Sequence, residues 1–308
     1  MKILVAFPDD GHTGTYIFKT LRAMGNNVAI CDPQYAFHLP NMINQFKPEL
    51  IICSRTPQYI QGLILAKSKG VKIYCWNTDA RGTTEDYQRE FGAELIDLFK
   101  MCDTLYTVGL GEVEMFKEAG INAKHLPQGI YPKVDKKVMT FNGDDVPEKG
   151  GLVLDYLHDV SFLGGVDFYH EVTCSRTSTL REIYKISDIN AEKAYAEQAS
   201  EIYYRTKVNI GSNAYPKIEH CVSVRDYKIM GSGGFLLTSW QEGIEKHFEV
   251  GKELDCYKTP KEAREKVEYY LKNDKEREAI AQYGYEKAHR EYKYEDRLET
   301  ILKDFNNG

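Results

Sequence analysis

The chain has 308 residues, of which 42% are hydrophobic and 28% charged, with a formal net charge of −6 at pH 7. This length is sufficient for two domains or for one large α/β domain, and the composition is typical of a soluble globular protein. The negative charge excludes a general attraction to nucleic acid or acidic membranes, but it does not exclude a local basic groove.

The chain opens with the apolar run MKILVAF, which passes into PDDGHTG without a pattern typical of signal-peptide cleavage. We interpret this run as a first β-strand, and the other apolar runs are too short to span a bilayer. The seven cysteines lack CxxC spacing, and Cys31, Cys53 and Cys75 occupy strand-like runs. Buried thiols in a reducing compartment explain them better than disulfides or a zinc site. The sequence therefore predicts a cytoplasmic protein without a structural metal.

The first 130 residues alternate strand-like and helix-like patterns in the rhythm of βαβ units. Strands are predicted at 2–7, 27–31, 50–53, 71–76, 104–108 and 123–126. Helices are predicted at 15–24, 42–46, 59–68, 85–99 and 111–119. This order indicates a parallel sheet covered on both faces, with functional loops beyond the carboxyl ends of its strands. No GxGxxG or P-loop pattern occurs, so a dinucleotide or ATP fingerprint is absent.

A polar segment, YPKVDKKVMTFNGDDVPEKGG at 131–151, is typical of an exposed connection between domains. Beyond it, strands are predicted at 160–163, 207–210, 235–237 and 254–257, and 184–186 leads into another. Helices are predicted at 177–183, 191–204 and 225–230, and from 261 to the end. We therefore predict Rossmann-like domains at 1–134 and 150–290, followed by a terminal helix at 291–308.

The loop PDDGHTGTY follows the first strand and leads into a helix. Its Gly11, Thr13 and Gly14 allow the backbone to approach a ligand at the helix N-terminus. Asp10 and His12 could act as a general base in a cleft. The simpler alternative is that Asp10 or Thr13 caps the helix.

A second loop, WNTDAR, ends the fourth predicted strand on the same functional edge. Asp79 could orient an acceptor hydroxyl, and Trp76 could stack on a sugar or a base. The alternative is a turn that serves only to lead into the next helix.

The stretch SVRDYKIMGSGGFLLT at 223–238 combines two cations with a run of small residues and an apolar strand. Arg225 and Lys228 lie three positions apart in a predicted short helix that ends in glycines. The glycines are Gly231, Gly233 and Gly234. Two cations beside uncovered backbone N–H groups would form a cradle for a diphosphate. The alternative is a helix C-cap followed by a tight turn, which needs no ligand.

This stretch resembles the C-terminal half of group-1-type glycosyltransferases and is most similar to their CgeB-like spore maturation branch. The resemblance continues in EGIEKHF, GKELDCY and VEYYLKN and ends at 277–297, whereas HLPQGIY resembles the segment that closes the family's first domain. It implies the GT-B fold, an α/β class with two Rossmann-like domains facing a central cleft. In that fold the N-terminal domain takes the acceptor, the C-terminal domain takes the nucleotide sugar, and the terminal helix often crosses back onto the first domain.

Sugar transfer requires stabilisation of the negative charge that develops on the departing diphosphate. The chain has no DxD triplet, the motif through which GT-A enzymes commonly hold a metal. The resemblance therefore implies a metal-free grip through Arg225 and Lys228. Arg176 is a third candidate, because it follows a predicted strand and the glycine pair at 164–165, as in the family's element at the mouth of the cleft. A salt-bridged surface arginine is the alternative reading of Arg176.

The chain departs from the family at two positions. Many group-1 glycosyltransferases carry two glutamates, separated by seven residues, ahead of the glycine turn, and the second usually holds the ribose. Here these positions are His220 and Lys228, which we keep as nucleotide-sugar-binding candidates. A lysine cannot accept a hydrogen bond from ribose, so Glu219 or Asp226 takes this role, or the nucleotide is held differently. Glu242 is a further acceptor for ribose or sugar hydroxyls.

Together, these features predict a glycosyltransferase that moves a hexosyl or pentosyl group from a UDP-sugar to an acceptor hydroxyl, without a metal or cofactor. The acceptor is open among a small molecule, a polysaccharide, a protein and modified DNA. One alternative is a phage-type enzyme acting on a hydroxymethylated base in DNA, although the chain shows no basic tract. Another is a two-lobed binding protein for sugars or nucleotides, without catalysis.

Overall fold

The computed structural model describes residues 1–9, 11–137, 140–141, 144–145, 156–164, 176–213 and 217–307. The chain divides into two compact units. The first unit comprises Met1–Gln128, Ile218–Cys221 and Tyr294–Gly308, and the second comprises Gly129–Lys217 and Val222–Lys293.

The first unit contains a parallel sheet with helices along its connections. Its strands are β1 (Lys2–Ala6), β2 (Asn27–Ile30), β3 (Leu50–Cys53), β4 (Lys72–Asn77), β5 (Thr104–Thr107) and β6 (Ala123–His125). Its helices are α1 (Thr13–Ala23), α2 (Leu39–Phe46), α3 (Ile60–Ser68), α4 (Thr84–Phe91), α5 (Glu94–Met101) and α6 (Val113–Glu118). The six strands are all parallel, in the order β2-β1-β3-β4-β5-β6. Every residue of β3 is buried, as expected for a strand covered on both faces.

The second unit contains another parallel sheet, preceded in the chain by a short antiparallel pair, β7 (Thr140–Phe141) and β8 (Asp144–Asp145). Its sheet strands are β9 (His158–Ser161), β10 (Ile189–Asn190), β11 (Thr206–Ile210), β12 (Leu236–Ser239) and β13 (Asp255–Tyr257). Its helices are α7 (Arg176–Ile183), α8 (Ala196–Tyr204), α9 (Val224–Gly231), α10 (Pro260–Tyr270) and α11 (Asp274–Glu291). The five strands are parallel, in the order β10-β9-β11-β12-β13. Both units are thus Rossmann-like, which confirms the predicted fold class.

Two predicted helices differ from the structure. The single helix predicted at 85–99 is two helices, α4 and α5, because Gly92 between them has a φ of 86°. The helix predicted from residue 191 begins only at Ala196, whose own φ of 47° prevents the helix from extending toward the N-terminus. The segment 184–186 leads into β10, as predicted.

The last helix, α12 (Tyr294–Asn307), belongs to the first unit. Tyr294 is fully buried, and its ring packs edge-on against Tyr16 and Trp76, with centroids 6.0 and 5.8 Å away. The hydroxyl of Tyr106 on β5 donates to Asp304 Oδ2 at 2.6 Å. This helix therefore completes the core of the first unit, although it is remote in sequence. None of the helices that the structure describes is long and apolar enough to cross a membrane.

The second unit begins and ends at a tight backbone contact. The Ile130 N–H donates to the Tyr292 carbonyl at 2.7 Å, and Ile130 pairs with Lys293 in a parallel bridge. A Cβ on Gly129 would lie 2.1 Å from the Tyr292 oxygen, so only glycine permits this approach. We call this contact between Gly129–Ile130 and Tyr292–Lys293 the backbone clamp.

Candidate functional site

Arg225 lies at the start of α9 in the second unit, beside the carboxyl end of β9. The helix begins here because Ser223 caps it, its hydroxyl oxygen accepting from the Arg225 N–H at 3.3 Å. Arg225 Nε donates to the Leu163 carbonyl at 2.7 Å, and the guanidinium carbon lies 4.6 Å from the centre of the Phe162 ring. One hydrogen bond and one cation–π contact thus fix the direction of the guanidinium.

Arg176, the first residue of α7, reaches the same place. Its guanidinium carbon lies 5.3 Å from the centre of the Phe162 ring, the ring that also contacts Arg225. A Cβ on Gly164 would lie 2.5 Å from Arg225 Nη2, so the glycine allows the guanidinium to approach the backbone closely. The structure therefore brings two predicted cations together at the carboxyl end of β9. Guanidinium groups arranged in this way suit an oxyanion such as a diphosphate.

Asp226 anchors the start of α9 from inside the unit. Its side chain is fully buried, and Oδ2 accepts from the Thr238 hydroxyl at 2.8 Å. Asn213 Oδ1 accepts from the Ser223 N–H at 3.1 Å, which ties the helix cap to the residues that follow β11. Burial raises the pKa of Asp226 to about 6. Because this carboxyl is buried and already bonded, it is not placed to hold a ribose.

The buried position of Asp226 predicts a pH-dependent stability. Its pKa is raised above the unfolded value of 3.8, so its contribution is complete below about pH 4 and is lost as the pH rises through about 6. A shift of this size corresponds to roughly 3 kcal/mol. We therefore expect the free energy of unfolding of the wild type, relative to that of Asp226→Asn, to fall between pH 4 and pH 7 in denaturant titrations.

The matched control is Asp188→Asn, the same change at an exposed carboxyl of the second unit. Its difference from the wild type should vary little over this pH range. A difference between wild type and Asp226→Asn that is constant with pH would contradict the assignment.

Lys228 lies one turn beyond Arg225, near a second buried carboxyl. Asp135 is 3% exposed, and its Oδ2 accepts from the Tyr131 N–H at 2.7 Å. Burial raises the pKa of Asp135 to about 6, against an opposing effect from the positive charge of Lys228. Lys228 thus interacts electrostatically with a carboxyl group inside the second unit. Its predicted contact with the diphosphate stays a prediction.

The glycine turn does not provide the bare backbone donors that the sequence suggested. The Gly233 N–H donates to the Met230 carbonyl at 2.9 Å, and the Gly234 N–H donates to the Ile229 carbonyl at 3.0 Å. The turn follows the C-terminal end of α9, so it lies at the amino edge of the sheet, opposite Arg225. The prediction of a cradle made by Arg225 and this turn is therefore wrong, and the helix C-cap is the correct interpretation.

Close packing explains why these positions are glycine. A Cβ on Gly231 would lie 2.6 Å from Ile130, and one on Gly234 would lie 2.5 Å from the Tyr203 carbonyl oxygen. Gly233 has a φ of 78°, a conformation that favours glycine.

The two remaining nucleotide-sugar candidates have different surroundings. His220 belongs to the first unit, is 3% exposed, and has its ring centre 4.8 Å from that of His125. The structure thus places His220 in the core of the first unit, and its predicted role at the nucleotide sugar stays a prediction. Glu242 is exposed in the turn after β12, on the same sheet edge as Arg225. Glu242 thus stays a candidate for holding a ribose or sugar hydroxyl.

The first unit has a cavity of about 720 Å³ at the carboxyl ends of β1, β3 and β4. Among the residues that line it are His12, Thr13, Gly14, Ser54, Arg55, Thr56, Asp79 and Phe91. Four of these, His12, Thr13, Gly14 and Asp79, were predicted from sequence. The two loops that the sequence singled out therefore meet in one cavity. Asp10 lies outside the described residues.

Arg55 holds Asp79 at this cavity. Arg55 Nη2 donates to Asp79 Oδ2 at 2.8 Å and Nη1 donates to the Asp79 carbonyl at 3.1 Å, while the guanidinium lies 4.5 Å from the centre of the Phe91 ring. The Asp79 side chain remains 59% exposed, against 17% for Arg55. An exposed carboxylate held by a partly buried cation is suited to orient a hydroxyl group. Sequence reasoning missed Arg55, although it lies two positions beyond β3, just as Asp79 lies two positions beyond β4.

The glycines at the start of α1 have separate roles. A Cβ on Gly14 would lie 2.1 Å from the Pro8 carbonyl oxygen, so glycine lets the helix start against the loop after β1. Gly11 has a φ of 80°, and its N–H donates to Thr15 Oγ1 at 2.9 Å. The Thr13 hydroxyl donates to Gln128 Oε1 at 3.3 Å. The residue before α1, His12, forms no side-chain cap of the helix. Instead, His12 lines the cavity.

Trp76 cannot stack on a sugar or a base in this structure. The side chain is fully buried, its Nε1 donates to the Leu126 carbonyl at 3.0 Å, and Tyr294 of α12 covers it. The predicted stacking role needs an exposed ring face, so that prediction is wrong.

Glu112 supports the loop after β4, a role that no sequence pattern indicates. This fully buried carboxylate accepts from the backbone N–H groups of Arg81 and Gly82, at 2.7 and 2.8 Å. It also accepts from the hydroxyls of Tyr87 at 3.0 Å and Thr107 at 2.6 Å. Glu112 thus holds two backbone N–H groups of the loop that contains Asp79 at the start of α6.

Three thiols meet in the core of the first unit. The Sγ atoms of Cys53, Cys75 and Cys102 lie within 4.8 Å of one another, and Cys53 pairs with Cys75 in the register of β3 and β4. Burial is the largest cause of the pKa of Cys75 lying well above its ordinary value. In the part of the chain that the structure describes, this is the one cluster of three or more potential metal-binding side chains. A tetrahedral zinc site takes four ligands, and this cluster supplies three.

Residues 176–303 match the family model described as glycosyl transferase-like. The match begins at Arg176 and includes Arg225, so both guanidinium groups beside Phe162 lie in the matched part. None of the curated proteins matches the chain in sequence.

In structure, the chain is similar over nearly its whole length to several solved proteins. HepE from Anabaena in complex with UDP-glucose has a TM-score of 0.69 at 10% identity, covering 100% of both chains. A glycosyltransferase from Rickettsia africae has a TM-score of 0.67 at 9% identity, covering 99% of this chain and 98% of the other. Sucrose-phosphate synthase from Thermosynechococcus elongatus has a TM-score of 0.67 at 10% identity, covering 100% and 98%.

Because the sequence identities are low, these similarities establish the fold alone. The chain has the GT-B fold, built from two Rossmann-like domains with parallel sheets. Its segment from 176 to 303 matches the glycosyl transferase-like family model, in agreement with the group-1 resemblance. The CgeB-like branch stays a prediction.

Proposed function

We propose that this protein transfers a sugar from a UDP-sugar to an acceptor hydroxyl without a metal ion. The proposal rests on a pair of guanidinium groups, those of Arg225 and Arg176, which both contact the Phe162 ring at the carboxyl end of β9. Fixed positive charge of this kind stabilises a departing nucleoside diphosphate, the task that a metal performs in other glycosyltransferases. HepE, which shares the fold, has been crystallised with UDP-glucose, and this supports uridine as the nucleoside of the donor.

The acceptor binds, in this proposal, in the 720 Å³ cavity of the first unit. Asp79 accepts the hydrogen of the attacking hydroxyl, and Arg55 keeps the Asp79 carboxylate oriented. His12 lines the same cavity and is the alternative base. One cation paired with one carboxylate, among the hydroxyls of Thr13, Ser54 and Thr56, suits a neutral polyhydroxylated acceptor better than a polyanion.

The proposal predicts that UDP stabilises the protein in the absence of divalent metal. At a UDP concentration about 100-fold above its Kd, the stabilisation is about 2.7 kcal/mol, which raises the melting temperature by several degrees. Addition of EDTA should leave the shift unchanged, because arginines and not a metal hold the diphosphate. Differential scanning fluorimetry with UDP and EDTA checks this.

Uridine is the matched control, since it offers the same base without phosphates and should give a smaller shift. Loss of the UDP shift on chelation would contradict the metal-free grip. Stabilisation by free sugars but not by UDP would favour the non-catalytic binding protein. A hit among UDP-sugars would be followed by donor-hydrolysis assays to establish turnover.

A further inference from the structure

A second cavity lies in the second unit, at the opposite edge of its sheet from Arg225. It has a volume of about 190 Å³. Thr206, which lines it, is the first residue of β11, and Phe235, which also lines it, directly precedes β12. The amino ends of these strands therefore border the cavity, whereas Arg225 lies at the carboxyl end of β9.

The lining of this cavity is positively charged. It includes Lys137, Lys207 and Arg277 against a single carboxylate, Glu278. Lys207 Nζ forms an ion pair with Asp159 at 2.6 Å. Lys137 Nζ donates to the amide oxygen of Gln282 at 2.6 Å, so this ammonium faces a neutral partner there. A small anion entering the cavity would meet more cations than carboxylates.

Arg277 provides an independent sign of a ligand. Its side chain is 1% exposed, and Nη1 donates to the Tyr270 carbonyl at 2.7 Å and to Asp274 at 2.6 Å. Nη2 is also buried, yet among the described residues no acceptor lies within hydrogen-bond distance of it. The Tyr156 ring centre is 5.1 Å from the guanidinium carbon, and Glu278 Oε1 is 3.9 Å from Nη2. Buried charged donors are almost always hydrogen-bonded, because leaving one without an acceptor is unfavourable. An oxygen atom supplied by a ligand would satisfy it.

We propose that this cavity binds a small oxyanion of the phosphate class, either inorganic phosphate or the phosphoryl group of a small phosphorylated metabolite. The guanidinium of Arg277 supplies a fixed donor, and the ammonium groups of Lys137 and Lys207 supply positive charge. The volume admits a phosphate with a few further atoms, but it is below the usual size of sites that enclose larger ligands such as a nucleotide sugar. The inference does not rest on the proposed sugar transfer, since none of these groups contacts the Phe162 site.

The test measures binding of inorganic phosphate to the full chain by calorimetry, with potassium chloride at equal ionic strength as the reference. Glucose 6-phosphate in a parallel titration distinguishes a phosphorylated metabolite from the free ion. We expect Lys137→Met/Lys207→Met to weaken phosphate binding by at least about 10-fold, because charge-assisted contacts are lost. Glu278→Gln should tighten binding by about 2- to 5-fold, since it removes the carboxylate that repels the ligand.

Two controls separate this cavity from other positions. Lys272→Met removes an exposed ammonium, paired with Glu268 on the same unit, and should leave affinity unchanged. Arg264→Ala should also leave it unchanged, because Arg264 is paired with Glu182 and does not line this cavity. The proposal is overturned if phosphate binds no better than chloride. It is likewise overturned if Arg225→Ala abolishes binding while Lys137→Met/Lys207→Met and Glu278→Gln do not alter it.

Discussion

Arg225→Ala is expected to reduce both UDP-sugar affinity and turnover by about 10- to 100-fold. A charge-assisted contact with a phosphate is worth roughly 1.5–3 kcal/mol, which corresponds to this range. Arg225→Lys should recover only part of the loss, because an ammonium cannot reproduce both the bond from Nε to Leu163 and the fork of the guanidinium. Calorimetry with UDP and a hydrolysis assay with the best donor measure the two effects.

Arg176→Ala should act in the same direction, and the double variant should lose less than the sum of the two, because both guanidinium groups contact Phe162. Arg264→Ala is the matched control, since Arg264 forms an ion pair with Glu182 at 2.9 Å on the same unit. Wild-type affinity for UDP in both Arg225→Ala and Arg176→Ala would move the donor site elsewhere. Melting temperatures of all variants show whether a loss of affinity reflects a loss of fold.

Glu112→Ala is expected to lower the free energy of unfolding by about 3 kcal/mol or more. The substitution leaves the buried N–H groups of Arg81 and Gly82 and the hydroxyls of Tyr87 and Thr107 without their acceptor, and each such group costs about 1–3 kcal/mol. Glu112→Gln should retain most of the stability. Its remaining oxygen can serve the two backbone donors, and its amide can donate to Thr107 Oγ1. Denaturant titration measures both changes.

Glu114→Ala is a control two positions further along the chain, in α6, because Glu114 is 77% exposed and forms a surface ion pair with Lys117. It should change stability by less than about 0.5 kcal/mol. Equal losses in Glu112→Ala and Glu114→Ala would show that the buried carboxylate has no special role. The alanine variant should also be cut faster by protease in the loop at Arg81 and Gly82.

The fold was predictable because both sheets are parallel and covered on two faces. Strands of this kind form short apolar runs, as in β3, and helices separate them at regular intervals. The error at 85–99 came from Gly92, since a helical hydrophobic pattern runs through it and only its positive φ separates α4 from α5. Such a break depends on backbone conformation and leaves little trace in periodicity.

Residues of the candidate site could be predicted where ionisable side chains follow the carboxyl ends of strands. His12 and Asp79 follow strands of the first unit, so parallel topology alone places both at one edge. Trp76 follows the same rule, yet Tyr294 covers it from a helix more than 200 positions away. Glu112 was missed for a related reason, because its donors at Arg81 and Gly82 lie 31 and 30 positions away and meet it only in the fold.

The glycine turn shows that a run of glycines does not by itself leave backbone N–H groups available to a ligand. Glycines expose backbone N–H groups in principle, but Gly233 and Gly234 already donate within the C-cap of α9. The cation pair that the structure supports joins Arg225 to Arg176, which lies 49 positions earlier in the chain. Pairing of this kind depends on strand order and cannot be read from one contiguous stretch.

The backbone clamp has a consequence for the order in which the protein folds. Tyr294 of α12 contacts Gln128, 166 positions earlier, and Thr13, 281 positions earlier. If the intervening chain were unfolded, closing a loop of that length would oppose the first of these contacts by about 4–5 kcal/mol of entropy.

A folded second unit removes most of this cost, because the bond from Ile130 to the Tyr292 carbonyl already holds the two ends of the loop together. During synthesis, the six-stranded sheet of the first unit emerges early but has no α12 to cover Tyr16 and Trp76. The N-terminal unit therefore matures last. Its aromatic surface stays exposed until the second unit, which lies within it in the sequence, has folded and α12 can pack against it.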